Sequence, residues 1–308
     1  MTARDVELPG GLRVASDELL VIVGETASGK TRLALELARA HDGEVIGADS
    51  VQVYRGFDIG SGKPTPRELD GVVHHLIDVA EPHHDFDAGR FVALADAAID
   101  DVRARGKLPI VCGGTFLWVK ALLWGLAAAP SAPKELRASL QEEATRLGPP
   151  ALHARLREVD AITAARLHPN DAVRIIRALE VHATTGRPLS DFQAEHGFRA
   201  ERHRARLVSI AWPRAELEKK IAARVESMLA HGLVDEVADL LARGHGDTRP
   251  MRAVGYAEVR AHLEGTLARD ELPGRITRAT RIFARRQRTW LKGAKVESIA
   301  GDALASLR

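Results

Sequence analysis

One cysteine in 308 residues, Cys112, excludes an internal disulfide framework and a multi-cysteine zinc site. No apolar run approaches membrane-spanning length, and residues 1–7 lack the apolar core of a signal peptide, so a cytoplasmic protein is expected. Charge of either sign is scarce in net terms: 44 Lys and Arg against 42 Asp and Glu leave a formal charge of +2. Bulk charge therefore says nothing about nucleic acid, and any basic footprint must be local. Internal repeats and low-complexity segments are also missing. The 45% of hydrophobic residues suffices for a sizeable core in one large or two smaller domains.

What is present begins at residues 19–31. Five consecutive apolar residues, three of them β-branched, read as a buried strand. Residues 24–31 then fit the phosphate-loop pattern G-x-x-x-x-G-K-[ST], and good helix formers with helical apolar spacing follow. Strand, glycine loop and helix are the context that this motif requires. Gly24 and Gly29 can take backbone angles that a side chain forbids, so the amides of Thr26, Ala27, Ser28 and Gly29 can converge on an anion. The helix start adds partial positive charge, Lys30 adds a full one, and the Thr31 hydroxyl can ligate Mg²⁺. A polyphosphate or pyrophosphate ligand is expected at this loop.

Further along, residues 44–48 read as a second strand with Asp49 at its end, where parallel sheets carry their ligands; the alternative is a turn or helix-cap aspartate. The adjacent His74 and His75 invite a metal, yet in a strand they point to opposite faces, which favours a satisfied structural pair. A helix is expected over 91–105, and a third buried strand ends in Gly113, Gly114 and Thr115. Nucleotide-hydrolysing phosphate-loop proteins commonly place a Mg²⁺-holding aspartate at such a strand end. Here there is none. Two glycines suggest close backbone approach to a ligand, and Thr115 supplies an uncharged donor and acceptor.

A composition break at 127–133 opens a run of helix formers, within which Arg174 and Arg177 share a face beside Ile175 and Ile176. Residues 206–212 read as a strand returning to the sheet. The expected fold is α/β: a phosphate-loop parallel sheet flanked by helices, with a small all-helical insertion. Residues 1–130 form the first part of the core, 131–195 the insertion, and 196–308 the rest of the core with a basic C-terminal helix. In that helix Arg278, Arg281, Arg285, Arg288 and Lys292 recur at helical spacing, and Ile276, Ala279, Phe283, Gln287 and Trp290 occupy the other side. No acidic residue falls between Arg275 and Lys295, so the stripe is expected to face phosphates.

Taken together, the blocks at 24–31, 48–60, 74–78, 113–115, 167–181, 185–190, 251–256 and 279–290 resemble the bacterial tRNA dimethylallyltransferases, also called tRNA isopentenyltransferases. The resemblance runs in order from residue 24 to 292. It departs at Glu25, where proline is usual, at Phe116, where glycine or methionine is usual, and at Trp118, where tyrosine is usual.

The resemblance implies transfer of a dimethylallyl group from its diphosphate to the exocyclic N6 of the adenine 3′ of the anticodon. Lys30 and Mg²⁺ on Thr31 would stabilise the leaving group and Arg252 would be a second clamp. Asp49 would be the general base, with Thr115 setting geometry. By the same resemblance Asp49, Ser50, Val51, Gln52, Thr115, Arg137, Val173, Arg174, Ile175, Ile176 and Arg177 touch tRNA, and the helical insertion clasps the anticodon stem-loop. A monomer without an obligate protein partner is expected. The alternatives are a small-molecule kinase using ATP, and a nucleotide-switch module, which would need an N-K-x-D segment that the chain lacks.

Overall fold

A computed structural model describes residues 5–9, 11–198 and 200–306. The chain divides into two compact units, Met1–Leu123 with Arg202–Arg308, and Trp124–Glu201.

The first unit holds a small antiparallel pair, β1 (Val6–Glu7) and β2 (Arg13–Val14), and a six-stranded sheet. The sheet contains β3 (Leu19–Val23), β4 (Gly43–Gly47), β5 (His74–His75), β6 (Leu108–Gly113), β7 (Ala205–Ala211) and β8 (Glu297–Ala300). Its order is β5-β4-β6-β3-β7-β8, and every neighbouring pair is parallel. Around it lie α1 (Lys30–Ala40), α2 (Pro66–Leu69), α3 (Ala88–Ala104) and α4 (Phe116–Trp124) from the first half. The second half adds α10 (Arg214–Ala230), α11 (Leu233–Ala242), α12 (Tyr256–Leu263) and α13 (Leu272–Leu291). The expected strands at 19–23, 44–48 and 206–212 form to within a residue at their ends, the third buried strand is β6, and the histidine pair forms the short β5.

β3 is central because all five of its residues are buried, as a strand covered on both faces must be. Its Leu20 and Ile22 join Leu33, Leu37 and Ala38 of α1 and Val208 of β7 in one core. Ion pairing gathers on Glu44 at the opposite end of the sheet from the glycine loop. Glu44, at the start of β4, is 1% exposed. It accepts from both Arg105 nitrogens, from His75 Nε2 at 2.7 Å, and lies 3.4 Å from Lys107. His75 is thus the satisfied structural histidine of its pair. His74 is not.

The second unit is all helical, with α5 (Lys134–Leu147), α6 (Pro149–Val159), α7 (Ala161–Arg166), α8 (Ala172–Thr185) and α9 (Leu189–His196) around Leu140, Leu152, Leu156, Ile175 and Leu179. Its limits are wider than the 131–195 read from sequence. The Ala/Pro stretch belongs to it, because Arg177 donates to the Ala129 and Pro130 carbonyls at 2.9 Å each. The chain leaves and rejoins the core at one place, where Arg202 N–H donates to the Leu123 carbonyl at 2.8 Å. Among the described residues no helix is long and apolar enough to cross a membrane.

Candidate functional site

The site is built on the C-terminal ends of β3, β4 and β6. After β3 the chain turns through Gly24 at φ 144°, Ala27 at φ 62° and Gly29 at φ 96°, then enters α1 at Lys30. Left-handed backbone at these points is what turns successive amides inward. The Ser28 hydroxyl is buried inside the loop with no partner among the described residues, and Lys30 Nζ bends back to the Glu25 carbonyl at 2.8 Å. Desolvation lowers the pKa of the Lys30 ammonium and Arg224 lowers it further, against Cys112, Asp49 and Glu25. A cation held this way gains by receiving an anion. Burial pushes the Cys112 thiol up to about 12, so the single cysteine stays protonated.

The ends of β4 and β6 meet closely. A Cβ on Gly113 would lie 2.1 Å from the Ala48 carbonyl oxygen, so only glycine fits. Thr115 N–H donates to that carbonyl at 3.1 Å, and Thr115 Oγ1 accepts the Ser50 N–H at 3.0 Å. Asp49 is set between them: its Oδ1 accepts the N–H groups of Val51 at 2.9 Å and Gln52 at 3.2 Å. It is therefore both a turn aspartate and a carboxylate at a strand end, and the two readings of the sequence coexist. Its charge acts on Lys30, Arg224 and Cys112 alike.

A groove of about 1570 Å³ runs past the loop, lined by Gly29, Lys30, Thr31, His74, Arg224 and Met228 among others. Asp49 and Thr115 lie outside this lining. Arg224, on α10, brings a guanidinium to the groove; desolvation lowers its pKa and the Asp49 charge opposes the shift. Arg252, expected as a second clamp, is exposed on the turn Pro250–Arg252 and lies, like Asp49 and Thr115, outside this lining. Arg224 had no sequence signal of its own, being one of several charges on an ordinary amphipathic helix. His74 has both ring nitrogens buried and without a hydrogen-bond partner among the described residues, and burial, helped by His75, pushes its pKa down to about 4. It is a neutral ring beside the groove.

Thr31 lines the groove, and no group of three His, Cys, Asp or Glu among the described residues could hold a metal ion. A hydroxyl with few protein partners fits Mg²⁺, which keeps waters and takes phosphate oxygens in preference to an all-protein cage.

Other expected contacts are redistributed. Gln52 Nε2 donates to the Ser61 and Gly62 carbonyls at 3.1 and 3.0 Å, so its amide braces a turn. Ile175 and Ile176 are corrected: both are buried in the core of the helical unit and cannot offer side chains to RNA. Val173, 80% exposed, and Arg174 point outward from α8. Arg137 grips Glu180, which is fully buried, at 2.5 and 2.8 Å. Trp118 is buried and stacks on Phe91 at 4.8 Å, so this departure sits in the core; Phe116 faces Trp290 at 6.1 Å.

On α13 the buried face is Leu272, Ile276, Thr280, Ala284 and Gln287. Phe283 and Trp290, placed on the inner side from sequence, are 41% and 46% exposed, so they share the outer surface with Arg278, Arg281 and Arg285. The stripe also has carboxylates that the local sequence hides: Arg288 Nε donates to Glu25 at 2.9 Å, and Arg281 lies 3.8 Å from Glu218.

The family model described as IPP transferase matches residues 52–294. A protein of Sorangium cellulosum named tRNA dimethylallyltransferase is 57% identical over 93% of this chain and 91% of its own length. One of an Anaeromyxobacter species with the same name is 53% identical over 92% and 95%. The crystal structure of a tRNA isopentenylpyrophosphate transferase from Bacillus halodurans superposes with a TM-score of 0.68 at 36% identity, covering 92% of this chain and 90% of that one. A eukaryotic dimethylallyltransferase seen acting on tRNA gives 0.76 at 25% identity, over 94% and 75%.

Proposed function

The chain belongs to the IPP transferase family, and we propose that it transfers a dimethylallyl group from dimethylallyl diphosphate to N6 of the adenine 3′ of the anticodon in tRNA. The observation that carries the reading is a placement at one end of the sheet: the glycine loop with Lys30 follows β3 and Asp49 follows β4, the two strands flanking β6, so a base and a cation share that end. An alkyl transfer needs these together. N6 attacks the allylic carbon, the carbon–oxygen bond breaks, and the electron pair leaves on the diphosphate oxygen. The N6 proton goes to Asp49. Its orientation is fixed by the two amides on Oδ1, and Thr115 is tied to the same segment through Ser50.

The leaving diphosphate is received by the amides at the α1 start, by Lys30 and by Arg224, groups that need no rearrangement when charge develops. Mg²⁺ held by Thr31 and the diphosphate oxygens would neutralise part of that charge. The target adenine must leave its stack to reach such a site, which costs a few kcal/mol. The outward residues of α8 and the exposed arginines of α13 are the surfaces offered to the anticodon stem-loop.

The test supplies enzyme, tRNA and Mg²⁺ with either labelled dimethylallyl diphosphate or ATP, then digests the tRNA and analyses its adenosines. Prenylated adenosine from the allylic donor is the expected product. Phosphate transfer from ATP without a prenylated base would replace the reading with a kinase.

A further inference from the structure

The turn that follows Phe57 lies outside any helix or strand, and its amides and carbonyls serve different partners. Glu236, in the first turn of α11, accepts from three successive amides: Asp58 at 3.2 Å and Ile59 at 2.7 Å on Oε2, and Gly60 at 3.3 Å on Oε1. Tyr256, at the start of α12, completes the grip. Its hydroxyl donates to Glu236 Oε1 at 2.7 Å and accepts the Ser61 N–H at 3.1 Å. Burial raises the Tyr256 pKa, so the phenol keeps the proton that it donates. Gly60 admits this approach, since a Cβ there would lie 2.5 Å from the Tyr256 ring. Four successive amides are thus satisfied by two side chains from the second half of the chain.

The carbonyls of the same turn hold Gln52. Ser61 and Gly62 accept from Gln52 Nε2 at 3.1 and 3.0 Å, whereas Arg224 Nη2 is 3.5 Å from the Ser61 carbonyl, a weaker hold. Gln52 in turn donates its backbone N–H to Asp49 Oδ1 at 3.2 Å. Hydrogen bonds therefore run without a gap from Glu236 through the turn to Gln52 and to the carboxylate at the end of β4. Lys63 pins the flanks of the turn, to Asp58 and the Tyr54 carbonyl, and leaves its middle to Glu236 and Tyr256. The four groups on Glu236 are neutral donors, and hydrogen bonds to a carboxylate are about twice as strong as neutral pairs. Without Glu236, three adjacent amides and a phenol must find other acceptors, and a turn that shifts to find them carries Gln52 with it.

We propose that Glu236 is a positioning residue for the transfer: by fixing residues 58–61 it fixes Gln52, and through Gln52 the carboxylate of Asp49. This role rests on Asp49 being the base. Single-turnover prenyl transfer with the full chain, at saturating tRNA and dimethylallyl diphosphate, tests it. Glu236→Ala should slow the transfer roughly 10²-fold, the cost of misplacing a reacting group by about 1 Å. Glu236→Gln, which keeps one oxygen for the Asp58 and Ile59 amides, should lose less, as should Tyr256→Phe, which removes one of the four donors. In an Asp49→Asn background no base is left to misplace, so the losses from Asp49→Asn and Glu236→Ala should not multiply. A purely structural role, or an effect carried by Arg224, slows both backgrounds alike. Multiplying losses in folded proteins therefore overturn the proposal, as does a wild-type rate in folded Glu236→Ala. Thermal unfolding establishes which variants fold. If Glu236→Ala does not, the same comparison with Glu236→Gln and Tyr256→Phe decides the matter. A wild-type rate in Asp49→Asn overturns the base reading itself.

Discussion

Thr115 Oγ1 accepts the Ser50 N–H at 3.0 Å, so the loop after β6 holds the segment that carries Asp49. Asp49→Asn should keep the turn and lose the base, lowering turnover roughly 10²–10⁴-fold, the usual reach of general-base catalysis. tRNA affinity should change far less. Wild-type turnover in folded Asp49→Asn would remove Asp49 from this role. Thr115→Ala should lower turnover with little change in donor affinity, because it frees the segment rather than the phosphate loop.

Lys30 and Arg224 are expected to act on the leaving group. Removing one preorganised donor of this kind typically costs roughly 10²–10³-fold in rate, so Lys30→Ala and Arg224→Ala should each fall by that order. A large loss in Arg252→Ala with none in Arg224→Ala would favour the second clamp read from sequence over Arg224.

On the outer face of α13, Arg278→Ala should flatten the salt dependence of tRNA binding by up to about one unit of log–log slope for each phosphate left without its cation. Arg281→Ala should do so less, since Glu218 already shares its charge. Unchanged slope and affinity in the double variant would make the stripe a solvated face.

The sheet, the glycine loop and the strand-end positions of Asp49 and Thr115 were legible in the sequence because each is announced locally, by a run of branched residues or a glycine pair. Sequence did not reach Gln287, whose bond to Thr26 spans 261 residues, or Arg224, which has no local pattern. It read α13 as basic on one side and apolar on the other. The buried stripe instead runs through Thr280, Ala284 and Gln287, because small and polar side chains are what fit against α10 and the loop. β8 is a four-residue edge strand with only one buried residue, too little alternation to be recognised.

Arg137 illustrates the gap between exposure and availability. Its side chain is half exposed, yet it is bidentate to the fully buried Glu180. Breaking a buried pair costs roughly 3–5 kcal/mol, less where one partner is wet, so Arg137→Ala should destabilise the helical unit by about 2 kcal/mol. Thermal or denaturant unfolding measures it. An unchanged stability with weakened tRNA binding would mark Arg137 as an RNA contact alone.

Glu44 gives the fold a pH dependence. Arg105 first, with His75 and Lys107, holds its carboxyl down at about 2, from an ordinary 4.5. A depressed carboxylate stabilises the folded state fully above the unfolded pKa and loses that contribution as pH falls from about 4.5 toward 2. The shift corresponds to about 3 kcal/mol. Glu44→Gln should be less stable at neutral pH and show a shallower loss of stability on acidification. Parallel acid-unfolding curves for the two proteins would refute this.

Hydrogen bonds from the Arg202 backbone to the Leu123 carbonyl and from its side chain to the Leu122 carbonyl close the chain on itself where the helices branch off. The strands on either side are already neighbours of β3, so their pairing does not depend on what the chain does between them. Such a side branch can melt and re-form while the sheet stays intact. The helices should therefore exchange their amide hydrogens by a local opening cheaper than global unfolding.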